Sequence, residues 1–168
     1  IDLEALNVLE EHAKKMQKDA KMVARVTLPP GLDGHFFAPS AFEIDGIAQL
    51  QKEVFGPILH IVRYASRDLD HVIDEINTAG YGLTLGIHSR IERTQTHIAS
   101  RIRAGNCYIN RNMIGAVVGV QPFGGERLSG TGPKAGGPHY VPRFATERTL
   151  TINIAAVGGN ASLLALED

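Results

Sequence analysis

The chain has 168 residues, 43% of them hydrophobic and 21% charged. That is one domain's length with enough apolar mass for a core, which excludes a disordered or fibrous chain. One cysteine excludes a disulfide framework or a Cys-rich zinc site and fits a reducing, cytoplasmic setting; no apolar run nears a membrane span, and the N-terminus is too polar for a signal peptide. The net charge of −1 divides unevenly, −5 over residues 1–89 and +6 over 90–148, so the second half could attract an anion.

Leu6, Leu9, Ala13, Met16 and Ala20 recur at three- and four-residue steps and predict a helix over 2–21. Met22 to Leu28 reads as a strand stopped by Pro29-Pro30-Gly31, and 35–37 and 41–44 as short extended pieces. A strand over 58–64 follows the Gly56-Pro57 turn. Ser66 is placed to cap a helix to about Ala79, with Leu69, Val72, Ile73 and Ile76 on one face and Gly80 and Gly82 ending it. Leu83 to His88 is strand-like, and Ser89-Arg-Ile-Glu92 has the spacing of a capping box opening a helix to about Arg103. Arg90, Arg93, Arg101, Arg103 and Arg111 on or just past that helix read as a solvated face; without interleaved aromatics they predict no nucleic-acid binding. A strand over 107–110 completes an α/β order with some parallel pairing.

From Gly105 to Gly137 nine of the 18 glycines are concentrated. Phe123, Val117, Val118 and Val120 are available to pack, so this is a structured loop of a length that usually serves function. Residues 147–154 alternate at period two, the pattern of an exposed or partner-paired strand.

Four groups could carry chemistry. In Gly124–Gly137, Thr131 stands where a P-loop needs Lys, and Pro133 opposes the helix a dinucleotide fingerprint requires; backbone shaping is the plainer reading. Cys107 lies within a strand with no helix N-terminus behind it, which suits a small buried hydrophobe better than a nucleophile. No two of the seven histidines lie three or four apart, so no helical metal pair exists and no metal site is expected. In Lys52-Glu-Val-Phe-Gly-Pro57, extended alternation would point Glu53 and Phe55 the same way. A carboxylate can accept both hydroxyls of a ribose and a ring can flank a flat heterocycle. A surface Glu and a core Phe before a turn explain the same residues.

Taken together, Glu53-Val-Phe-Gly-Pro57, Pro122-Phe-Gly-Gly125 and Ser129-Gly-Thr-Gly132, with Asn77–Thr84 and Gly105–Asn110 between them, resemble the C-terminal third of an aldehyde dehydrogenase over essentially the whole chain. The continuation Pro133–Pro138, then 144–149 and 156–161, resembles the L-glutamate γ-semialdehyde (1-pyrroline-5-carboxylate) dehydrogenase domain of bifunctional proline utilisation A. The resemblance implies an α/β fold comprising the C-terminal part of the catalytic domain over 1–147, and an oligomerisation strand and tail over 148–168. It gives Glu53 the nicotinamide ribose hydroxyls of NAD and Phe55 a place beside the nicotinamide. Gly115 and Ala116 match the pair whose amides anchor the substrate carboxylate, and Phe123 matches the ring packed on the substrate's aliphatic part. The strand at 148–154 implies pairing in a homo-oligomer, and FAD is implied only for the proline dehydrogenase domain of the parent.

The family's Gly-Gln-x-Cys nucleophile and its general-base Glu match nothing here, so no catalytic residue is assigned and the chain is expected to be an inactive fragment whose partners are the aldehyde substrate and the rest of the parent enzyme. An aldehyde dehydrogenase of other specificity and a non-catalytic assembly module are the alternatives.

Overall fold

The computed structural model describes residues 1–153. Helix α1 spans Leu3–Asp19; Asp2 caps it, its carboxylate accepting from the Ala5 amide at 2.7 Å. Leu9, Ala13 and Met16, at helical spacing, are each only 1% exposed. They pack on Phe37, Phe42 and Ile44, with Leu50, Val54 and Ile58 at the margin. Burying each large side chain contributes about 2 kcal/mol, and this is the principal core.

Its floor is a three-stranded sheet of β1 (Lys21–Arg25), β2 (Ser40–Glu43) and β3 (Ile58–Ile61). β1 pairs antiparallel with β2, with a register irregularity between Met22 and Ala24, and β2 runs parallel to β3. A parallel neighbour needs a crossover; residues 44–57 supply it, with one short 3-10 turn over Ile47–Gln49.

The second half stacks α2 (Leu69–Thr78), β4 (Tyr81–Gly82), β5 (Thr84–Ile87), α3 (Glu92–Arg101), β6 (Asn106–Ile109) and β7 (Glu126–Arg127). β5 and β6 are parallel, joined through α3, and β4 pairs antiparallel with β7 inside the glycine-rich segment.

Several local expectations are corrected. Ser66 starts a 3-10 turn instead of capping α2, whose N-cap is Asp68 without a side-chain bond. The capping box does not close: the Ser89 amide donates to Asn110 Oδ1 at 3.0 Å, and the Ser89 hydroxyl accepts from the Ile91 amide. Val117, Val118 and Val120 are 53%, 96% and 73% exposed, so they do not pack the loop as expected. Residues 145–153 carry no regular structure within this chain, and the remainder of the expected strand and tail lies outside the described residues.

Candidate functional site

Val54 packs against the principal core, and its neighbours Glu53 and Phe55 are left exposed, Phe55 by 90%. The segment is not a strand, and Phe55 is not a core residue. Gly56 fixes where it turns, because a Cβ there would run into the side chain of Leu9 on α1. The Ser40 amide then donates to the Pro57 carbonyl at 3.1 Å and fastens the turn to the sheet. Glu53 lines an open cleft of about 540 Å³ between the two halves, together with His60 of β3, Thr84 and Leu85 of β5, Arg103 and Ser129. An exposed carboxylate with an exposed ring two residues on fits a sugar hydroxyl pair and a flat heterocycle.

The second group is carried by β6. Its burial alternates, Asn106 and Tyr108 inward at 7% and 6% exposure, Cys107 and Ile109 outward. Cys107 is therefore exposed, not a buried hydrophobe; partial burial of its thiol raises the pKa and disfavours the thiolate. The Tyr108 hydroxyl donates to the Gly115 carbonyl at 2.6 Å. Gly115 has φ +61°, a left-handed conformation that glycine adopts without strain. The N–H groups of Gly115 and Ala116 donate to no group among the described residues, which leaves two adjacent amides for an anion.

Asn106 uses its whole hydrogen-bonding capacity. Nδ2 donates to the Pro122 carbonyl at 3.0 Å and to the Tyr108 hydroxyl at 3.1 Å. Oδ1 accepts from the Gly124 amide at 3.3 Å and from Lys134 Nζ at 3.4 Å. Phe123, half-buried, is thus held on both sides, and its own amide and carbonyl pair with Ala135 at 3.0 and 2.9 Å. The cleft that holds Glu53 is not lined by Gly115, Ala116 or Phe123; the coenzyme-side and substrate-side candidates form two separate groups. Asn106, Tyr108 and Lys134 were not singled out from sequence. The available signal was a pair of hydrogen-bonding side chains two apart on a strand, directly before a glycine-rich loop.

A third construction ties α2, the end of α3 and β7 together. Asn77 donates to the Arg101 carbonyl at 2.9 Å and accepts from the Arg103 amide at 2.9 Å. Arg127, itself at φ +57°, donates to the carbonyls of Asn77, Tyr81 and Arg103.

These features belong to a known class: the aldehyde dehydrogenase family pattern matches residues 2–150, and the chain belongs to that family. Within it, the chain is 51% identical over 147 residues to the bifunctional protein PutA of Rhizobium meliloti and 50% identical over 154 residues to that of Escherichia coli (strain K12). Those matches cover 87% and 88% of this chain but only 12% of either relative. A 1-pyrroline-5-carboxylate dehydrogenase of Geobacillus sp. (strain WCH70) is 37% identical over 90% of this chain and 29% of its own. Among solved structures, a mutant of Bradyrhizobium japonicum proline utilization A superposes with a TM-score of 0.85 at 56% identity, covering 93% of this chain and 16% of that one. A Thermus 1-pyrroline-5-carboxylate dehydrogenase solved with bound NAD gives 0.76 at 33% identity, covering 85% and 28%.

Among the described residues no helix is long and apolar enough to cross a membrane.

Proposed function

We propose that this chain is the part of an NAD-dependent L-glutamate γ-semialdehyde dehydrogenase that grips the coenzyme ribose and the substrate's amino-acid end, in a parent that also oxidises proline with FAD. The observation that carries the reading is the pair of undonated amides at Gly115 and Ala116, presented by a loop whose carbonyl is tied down by Tyr108. A carboxylate takes charge-assisted bonds from such amides, and small side chains allow its close approach. The similarity to PutA and to 1-pyrroline-5-carboxylate dehydrogenases supports the substrate class.

In this reading NAD accepts hydride from the aldehyde carbon. Glu53 accepts from the two ribose hydroxyls, Phe55 flanks the nicotinamide, the 115–116 amides hold the α-carboxylate and Phe123 covers the methylenes. The remainder of the parent encloses the space between the two groups, and residues 148–154 pair with a neighbouring subunit in a homo-oligomer. The chain by itself oxidises no aldehyde.

A substrate panel on the complete enzyme tests the assignment. Glutamate semialdehyde should be oxidised with a higher kcat/KM than a short aliphatic aldehyde, and Ala116→Leu should raise the KM for the semialdehyde well above its effect on the KM for NAD. Preference for the aliphatic aldehyde, or an unchanged semialdehyde KM in Ala116→Leu, sinks it.

A further inference from the structure

We infer that Asn106 and Tyr108 are paired positioning residues that set the Gly115–Ala116 amides and Phe123 at a fixed mutual placement, and so determine recognition of the substrate's amino-acid end; this rests on the function proposed above. The geometry is continuous. From the Gly115 carbonyl the bonds run to the Tyr108 hydroxyl, from there to Asn106 Nδ2, and from the same amide group to the two peptide groups that flank Phe123. Both side chains are nearly fully buried, and their donors and acceptors are matched throughout, the condition under which a polar network rigidifies its surroundings. The hydroxyl has one proton; giving it to Gly115 makes the oxygen the acceptor for Asn106, so the chain of bonds has one sense only. β6 supplies the rigid base, being paired with β5 from Asn106 to Ile109. Gly115 and Phe123 are eight positions apart in a loop with little other regular structure, so without this bridge each could shift alone.

The test uses the complete enzyme. Tyr108→Phe removes the hydroxyl and retains the ring that stacks under the Arg111 guanidinium. The expected result is a rise of roughly fivefold in the KM for glutamate semialdehyde, with the KM for NAD and the kcat/KM for a short aliphatic aldehyde within about twofold of wild type. Asn106→Asp, which loses both donors, should shift the same parameter in the same direction. The double variant should be far less impaired than the product of the singles, because both act through one chain of bonds. If Tyr108→Phe does not fold, Asn106→Asp carries the comparison. An unchanged semialdehyde KM, or an equal loss toward both aldehydes and NAD, overturns the inference while the functional assignment stands. A wild-type enzyme inactive on the semialdehyde overturns the assignment first.

Discussion

His12 on α1 and His60 on β3 meet Nε2 to Nε2 at 2.8 Å, their rings edge to face. One ring must donate and the other accept, so at least one is neutral. Burial lowers the pKa of both, and for His12 the neighbouring His60, Lys15 and Lys52 lower it further. Their lowered native values mean that, once the pH falls below the ordinary histidine value near 6.5, the unfolded chain takes up protons the native pair resists. Stability is therefore complete above about pH 6.5 and declines as the pH falls below it, levelling only beneath the depressed native values. Thermal melts from pH 7.5 to 5 should show a falling Tm in wild type and a flatter profile in His60→Gln. Parallel profiles for the two proteins would contradict this account.

Asn77 bonds two backbone groups at the end of α3, the Arg101 carbonyl and the Arg103 amide, and offers its carbonyl to Arg127. Asn77→Ala leaves the Arg103 amide and the Arg101 carbonyl without their partner. The expected cost is about 2 kcal/mol, read as a Tm lower by roughly 4–8 °C. A change below a degree would show that water replaces the side chain freely.

Two glycines should respond oppositely to alanine. At Gly105 a Cβ would collide with the Gly124 carbonyl, a backbone group that cannot swing aside; a loss of about 3 kcal/mol is expected. At Gly132 nothing lies within 4 Å of the added carbon and φ is ordinary, so Gly132→Ala should stay within about 0.5 kcal/mol. Denaturant midpoints compare the pair directly.

Glu53→Gln in the complete enzyme keeps the shape and removes the charge that, in the proposed reading, accepts from the two ribose hydroxyls. The KM for NAD should rise roughly tenfold with the semialdehyde KM little changed. Cys107→Ser, whose side chain points outward from β6, should keep turnover within about twofold. Loss of activity there would restore Cys107 as a candidate nucleophile.

How far the sequence could be read depended on the range of the interactions involved. Helix α1 was legible because Leu9, Ala13 and Met16 repeat at the period of their own helix and bury one face. The β5–α3–β6 order was legible from strand-like runs alternating with a helical stretch that Gly105 ends. Ser89 misled, because its amide is taken by Asn110, 21 residues away, and no local spacing reveals that competitor. Phe55 fitted either a core ring or one beside a flat heterocycle by spacing alone, and only the folded chain shows it exposed. The family resemblance pointed to Glu53, Gly115 and Phe123, but the buried pair Asn106 and Tyr108 that joins the last two was visible only once β6 had a face.

Lys134 closes this corner of the molecule, its ammonium donating to the Gly105 carbonyl and reaching Asn106. Lys14, Lys15, Lys18, Lys21 and Lys52 are all exposed, while Lys134 is partly covered. An amine-directed acylating reagent would therefore mark the other five first and reach this one chiefly when the loop opens. The chain thus carries its own slow-labelling gauge: the lag of one peptide in a mass-spectrometric footprint reports whether the glycine-rich loop is intact.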